Sequence, residues 1–267
     1  MNEAAVADPW QSRPVPRFAP VPFLPLRDHL PTRTVPFINY ALIAANVAVF
    51  LWEEAQIAGG VDPDVLDHAL GLVPVRLIAD PVHGLETTFT SMFMHAGLGH
   101  IAGNMLFLWI FGDNVEDALG HLRYLTFYLL GGACAAAAQT AASLGDPVAM
   151  RLPLVGASGA IAAVLAAYAF LYPLSPITVL NPVFFLWFVF GLFLDFPAWL
   201  VIALWFLGNL WDAFANTQHG GVAFMAHVGG FVGGALLLPL FMANRPRLDD
   251  YARWRQWAAR RRRSDAW

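Results

Sequence analysis

Between Phe37 and Met242 the chain is a succession of apolar runs, most of them close to the ~20 residues that carry a helix across a bilayer. The runs fall at about 37–52, 92–111, 122–142, 154–172, 177–194, 197–214 and 222–242. Charged residues make up only 13% of the sequence and the mean hydropathy is +0.55. A soluble domain of this length would carry about 25% charged residues. The expected class is an all-α polytopic membrane protein.

Charge sets the number of crossings. The net charge of -4 hides an asymmetry, because all 15 basic residues are arginine and 12 of them lie in the two tails. Arginine beside a span marks the cytoplasmic side, so both tails are expected inside and the number of spans even. Of the seven runs one must therefore not cross; 177–194, broken by Asn181-Pro182, is read as interfacial or re-entrant. Six spans remain. Residues 1–36, with eight prolines and no signal-peptide core, read as a flexible Pro/Arg-rich cytoplasmic arm; residues 37–242 form the membrane domain; residues 243–267 form an Arg-rich tail, an interfacial helix on the anionic inner leaflet. The acidic stretch from Glu53 to Thr90 suits an outer loop, with Asp62-Pro63 opening a short interfacial helix. Cys134 is the lone cysteine and reads as packing, with no intrachain disulfide possible.

Polar residues inside such runs are costly and face the protein interior. Span two carries His95, His100 and Asn104, the last two sharing a helix face. Span four begins with Gly156-Ala157-Ser158-Gly159, and span six carries His227 followed by Gly229, Gly230, Gly233 and Gly234. With the N-terminus inside, spans two, four and six all enter from the outer side. His100, Ser158 and His227 then lie roughly 6 to 12 Å below the outer boundary at ~1.5 Å per residue. Taken singly, each has a bland reading: Ser158 as a small packing residue, His227 as a hydrogen-bonded histidine, His95 as a structural one. The agreement of depth and side favours a site.

The chemistry follows from residue type. A serine hydroxyl becomes a nucleophile when a base takes its proton, and His227 is the candidate base. The tetrahedral intermediate needs donors, and the Ser158 N–H with the side chains of His100 and Asn104 can supply an oxyanion hole. No aspartate lies near these positions in sequence, so a Ser158–His227 dyad is expected rather than a triad. The overlapping G-x-x-x-G spacings of 229/233 and 230/234 fit close helix packing. The H-E-x-x-H set that an intramembrane metalloprotease would need does not occur.

His95-Ala-Gly with His100-Ile-Ala-Gly-Asn104, then Gly156-Ala157-Ser158-Gly159, then Ala226-His227-Val-Gly-Gly230-Phe resembles the rhomboid family of intramembrane serine proteases. Gly112-Asp113-Asn114-Val115-Glu116-Asp117 also resembles bacterial members. The resemblance implies a six-transmembrane-helix rhomboid-like bundle, Ser158 and His227 as catalytic residues, and His100, Asn104 and Ser158 at the oxyanion hole. Gly156, Gly159, His95 and Gly230 would support the site. It further implies cleavage of single-span membrane proteins near the outer membrane boundary, without metal or cofactor, and a mobile fifth span or cap loop. Where many members carry an aromatic residue one turn after the serine, this chain has Ala162. The expected partners are transmembrane protein substrates and the lipid bilayer, not nucleic acid. The expected location is the cell membrane, with cytoplasmic termini and an active site open to the outside. The rival reading is a non-catalytic rhomboid-like protein that binds and escorts client helices; such proteins usually lack the serine or the histidine, and both are present here.

Overall fold

In the computed structural model, described for residues 24–181, 183, 191–215 and 224–242, several polar residues are buried beside an apolar core, and many large apolar side chains are exposed. Helix α1 (Phe37–Ala58) shows both. Its buried stripe is Asn39, Leu42, Asn46, Phe50 and Glu53, while Tyr40, Val47, Leu51 and Trp52 are exposed. A helix in water does the opposite. The pattern suits a helix whose outer face meets hydrocarbon and whose inner face carries the specific contacts.

The remaining helices are α2 (Pro63–Leu70), α3 (Pro74–Ala79), α4 (Pro81–Thr90), α5 (Leu98–Leu119), α6 (His121–Ser143), α7 (Ser158–Leu171), α8 (Ala198–Ala215) and α9 (Phe224–Met242). Three of them, α1, α6 and α9, are long and apolar enough to cross a membrane; α7 and residues 198–211 of α8 are shorter apolar helices. Asp62 caps α2, accepting from the Asp64 N–H at 2.9 Å, with proline at the first helical position as its sequence implies.

Helix α7 is the hub. Every residue from Gly159 to Tyr168 is buried, and α5, α6, α8 and α9 pack around it. Small residues make this possible. A methyl group at Gly230 would lie 2.0 Å from the Gly159 carbonyl oxygen, and one at Gly234 2.5 Å from the Ala163 Cα. The neighbouring pair faces α6 instead: Gly229 lies against Ala138 and Gly233 against Cys134. The two interleaved glycine faces thus wedge α9 between α6 and α7. Cys134 is a packing residue, as its surroundings in the sequence imply.

Several boundaries differ from the sequence reading. Span two does not end at Phe111; α5 continues to Leu119, and Gly112, Asn114, Glu116 and Asp117 are all buried. The reason is the start of α1, which has no side-chain cap of its own. Glu116 reaches across to accept from the Ile38 and Asn39 N–H groups at 3.1 and 2.7 Å, and from His121 Nδ1 at 2.5 Å. Gly112 has no side chain because Asn39 fills that space: a Cβ there would lie 2.1 Å from Asn39 Oδ1. Asp117 takes bonds from the Arg33 and Thr34 backbone and side chains. Glu53, read as a loop acid, is buried within α1.

Two further segments are corrected. The arm assigned to residues 1–36 is built into the fold over its last part: β1 (Pro25–Asp28) is an edge of a three-stranded antiparallel sheet ordered β1-β2-β3. The run 177–194 supplies the other strands, β2 (Pro176–Leu180) and β3 (Phe193–Pro197), paired from Pro176↔Pro197 to Leu180↔Phe193. Neither end of that run is helical. Strand β3 leads directly into α8, whose first N–H groups bond to the Ser175 and Pro173 carbonyls. Residues 1–23, the loop 216–221 and the tail 243–267, for which the sequence carries expectations, lie outside the described residues.

Asp28 closes this end of the bundle. Its carboxylate accepts from Asn114 Nδ2 at 2.7 Å and the Tyr168 hydroxyl at 2.8 Å. Burial, with the Asp113 carboxylate nearby, pushes its pKa up to about 7, while the Tyr168 bond opposes the shift.

Candidate active site

Ser158 is the first residue of α7, and its backbone N–H precedes the helix's own hydrogen-bond ladder. The segment before it is held from outside. Leu154 pairs with Leu72 through both backbone bonds, at 3.0 and 2.8 Å, and the Gly156 N–H donates to the Ser91 carbonyl at 2.8 Å. Leu72 and Ser91, from the stretch between α1 and α5, thus fix the approach to the serine. Gly156 has φ +124, where a side chain is strained, and a Cβ there would lie 2.7 Å from the His100 ring and 3.6 Å from Asn104 Nδ2. His100 and Asn104 therefore gather around the glycine two residues before Ser158.

His227 reaches the serine from α9. Its Nε2 lies 2.8 Å from Ser158 Oγ, across 69 residues of sequence. Its other nitrogen, Nδ1, bonds to Asn209 Oδ1 of α8. An amide oxygen can only accept, so Nδ1 carries the proton and Nε2 is the free acceptor for the serine hydroxyl. The Asn209 amide is itself fixed, since Nδ2 donates to the Trp205 carbonyl at 2.8 Å. The Trp205 ring lies 5.7 Å from the imidazole, centroid to centroid. Ala162, one turn after the serine, is buried in α7, and the aromatic ring beside the histidine comes from α8. Gln139 of α6 accepts from the Ala226 N–H at 3.1 Å and secures the start of α9.

His95 has a defined place too. Its Nδ1 faces the Phe93 carbonyl at 3.2 Å, so that nitrogen donates, and Nε2 accepts from Asn104 Nδ2 at 2.9 Å. One N–H of the Asn104 amide is thereby used, and the other finds no acceptor among the described residues. The His95 backbone N–H donates to Glu53 at 3.2 Å, and the His95 and His100 rings meet edge to face at 5.1 Å. Gly159 and Gly230 sit at the α7–α9 contact that sets the serine–histidine separation.

A cavity of about 50 Å3 borders Ser158, with Ser91, Gln139, Gly156 and Ala226 among its walls. That is room for a water molecule or two. Among the described residues no group of three or more histidines, cysteines or carboxylates could hold a metal ion.

Asn209, Trp205 and Glu53 are the residues that sequence reasoning missed. A signal existed for Asn209: it is the one amide in the apolar run 198–211, and the argument that singles out His100 and Asn104 applies to it equally.

A helical membrane-protein bundle whose hub helix begins with a serine, hydrogen-bonded to a histidine of another helix, defines the class. The rhomboid domain model matches residues 83–244, more than half of the chain, and the protein belongs to the rhomboid family. It is similar to Rhomboid protein 1, mitochondrial, of Saccharomyces cerevisiae, at 32% identity over 139 residues, covering 50% of this chain and 36% of the relative. Presenilin-associated rhomboid-like protein, mitochondrial, of Homo sapiens is 30% identical over 128 residues, covering 47% and 30%. Rhomboid protease GluP of Bacillus subtilis is 31% identical over 135 residues, covering 51% and 24%. The chain thus spans about a third or less of the length of these relatives. Two of them are mitochondrial by name, so the family occupies more than one kind of membrane.

Proposed function

We propose that this protein is an intramembrane serine endopeptidase that hydrolyses single-span membrane proteins near the outer membrane boundary. The observation that carries the reading is the 2.8 Å contact of Ser158 Oγ with His227 Nε2, with the opposite imidazole nitrogen bonded to an acceptor. In the proposed reaction His227 Nε2 takes the Ser158 proton as the hydroxyl oxygen attacks the scissile carbonyl. The intermediate's oxyanion lies against the Ser158 N–H, the second N–H of Asn104 and His100, at the positive end of α7. The imidazolium gives its proton to the leaving amine, and the serine ester remains. Water from the cavity beside Ser158 then attacks the ester, with His227 again as base. No metal or cofactor enters the scheme.

The proposed architecture has six crossings, α1, α5, α6, α7, α8 and α9, with α7 and α8 the short ones. The arginine asymmetry supports cytoplasmic termini in the cell membrane. The relative named a protease supports the reaction class by likeness only.

The test is labelling of the purified protein by a fluorophosphonate, followed by cleavage of a model single-span substrate. Labelling and cleavage lost in Ser158→Ala and His227→Ala are the expected results. A folded wild-type protein inert to serine probes in lipid would refute catalysis and favour the client-binding reading.

A further inference from the structure

Resting on the serine-protease reading, we infer that Asn209 of α8 is a positioning residue: it holds His227 in the tautomer and orientation that leave Nε2 free to take the Ser158 proton. Three observations converge. The His227 Nδ1–H donates to Asn209 Oδ1. Asn209 cannot turn its amide over without losing the bond from its Nδ2 to the Trp205 carbonyl. Trp205 stands one turn earlier on the same face of α8, with its ring 5.7 Å from the imidazole. One helix face therefore supplies both the acceptor and the packing surface for the base.

A bare imidazole divides its proton between two nitrogens, and only the form protonated at Nδ1 can act on Ser158. An acceptor at Nδ1 selects that form before substrate arrives. In serine hydrolases with an aspartate in this place, a group that selects the wrong tautomer lowers the rate by ~10⁴. The amide differs from a carboxylate in one respect: it fixes the proton without adding charge, which suits a water-poor site. The assignment also makes the base dependent on α8. Trp199, Leu207 and Trp211 are exposed on that helix, and its contacts to His227 run through these two side chains. A displacement of α8 would release the ring together with its proton.

The experiment measures the rate of fluorophosphonate labelling against pH, in detergent and in lipid, for wild type, Asn209→Leu and Asn209→Asp. Asn209→Leu keeps the volume and removes the acceptor. Its labelling is expected to fall ~10- to 100-fold at an unchanged melting temperature. Asn209→Asp restores an acceptor and adds a charge that favours the imidazolium, so it is expected to label and to move the acid limb of the profile to higher pH. A merely structural asparagine would not move that limb. Wild-type labelling by Asn209→Leu, or an acid limb unmoved in Asn209→Asp, would overturn the assignment while Ser158→Ala and His227→Ala still support the protease reading. If Asn209→Leu fails to fold, the profile of Asn209→Asp decides. A folded wild type that does not label removes both.

Discussion

Gly230→Ala is a one-methyl test of how the serine and histidine are held together. A Cβ at Gly230 would sit 2.0 Å from the Gly159 carbonyl oxygen and 2.9 Å from its carbon, and contacts under 3.0 Å are essentially never seen. The obstacle is backbone, so no side chain can swing aside. Helix α9 must withdraw from α7 by about 1 Å at this level. His227 lies one turn before Gly230 and Ser158 immediately before Gly159, so the shift passes to the pair. A 2.8 Å bond becomes a separation of about 3.8 Å, beyond hydrogen-bond reach. Displacements of this size lower rates by ~10²-fold, and overpacking costs about 1–3 kcal/mol. The assay is fluorophosphonate labelling rate together with melting temperature. Gly103→Ala on α5 and Gly208→Ala on α8 are the controls, since a Cβ at either meets nothing within 4 Å. Alanine is the better helix former there, and a gain of up to ~1 kcal/mol is expected. Gly230→Ala labelling at the wild-type rate would refute the claim that this contact sets the pair.

Glu116→Gln should lower the melting temperature by an amount equivalent to ~1–3 kcal/mol, because a charged acceptor at the start of α1 is replaced by a neutral amide, while labelling per folded molecule stays unchanged. Asn104→Ala should leave the Ser158–His227 bond in place yet slow labelling by ~10²- to 10³-fold, read against an unchanged melting temperature. Docking of the arm should depend on pH through Asp28. Its ordinary value is 3.8 and the docked value about 7, so between these the docked arm holds a proton that the free arm has released. Docking is therefore strongest below pH ~4 and weakens as pH rises towards 7, with Asp28→Asn abolishing the dependence; amide exchange across β1 reads it. A reporter fused after Trp267 should stay on the cytoplasmic side, and replacing the arginines of the tail should weaken that orientation.

The candidate site was legible because its polar residues are concentrated in short motifs within apolar surroundings. His100, Asn104, Ser158 and His227 stand out as costly polar residues in apolar runs. The glycine faces of α9 were legible for the same reason, since 229/233 and 230/234 are spacings and spacings survive in sequence. What stayed hidden depends on partners far away in the chain. Glu116 and Asp117 look like the end of a span until the start of α1 and the arm arrive to donate hydrogen bonds to their carboxylates, 77 and 84 residues distant. Asn209 is an ordinary amide until His227 stands beside it. The strands were hidden by their apolar composition, because a run such as 177–194 looks alike whether its backbone bonds are made within a helix or to a neighbouring strand.

The pairing of β1 with β2 has a consequence for the order in which the molecule is made. His29 and Thr178, bonded at 2.8 Å, are 149 residues apart. When the arm leaves the ribosome its strand partner does not exist, and α1, α5, α6 and α7 are all synthesised before it does. The arm must wait beside a growing bundle with its edge unpaired. Its docking completes the sheet from which α8 starts, so a segment synthesised before α1 and the helix that touches the histidine are settled in the same late step. A nascent chain halted before Pro176 can hold four of its helices in place and still have no foothold for either.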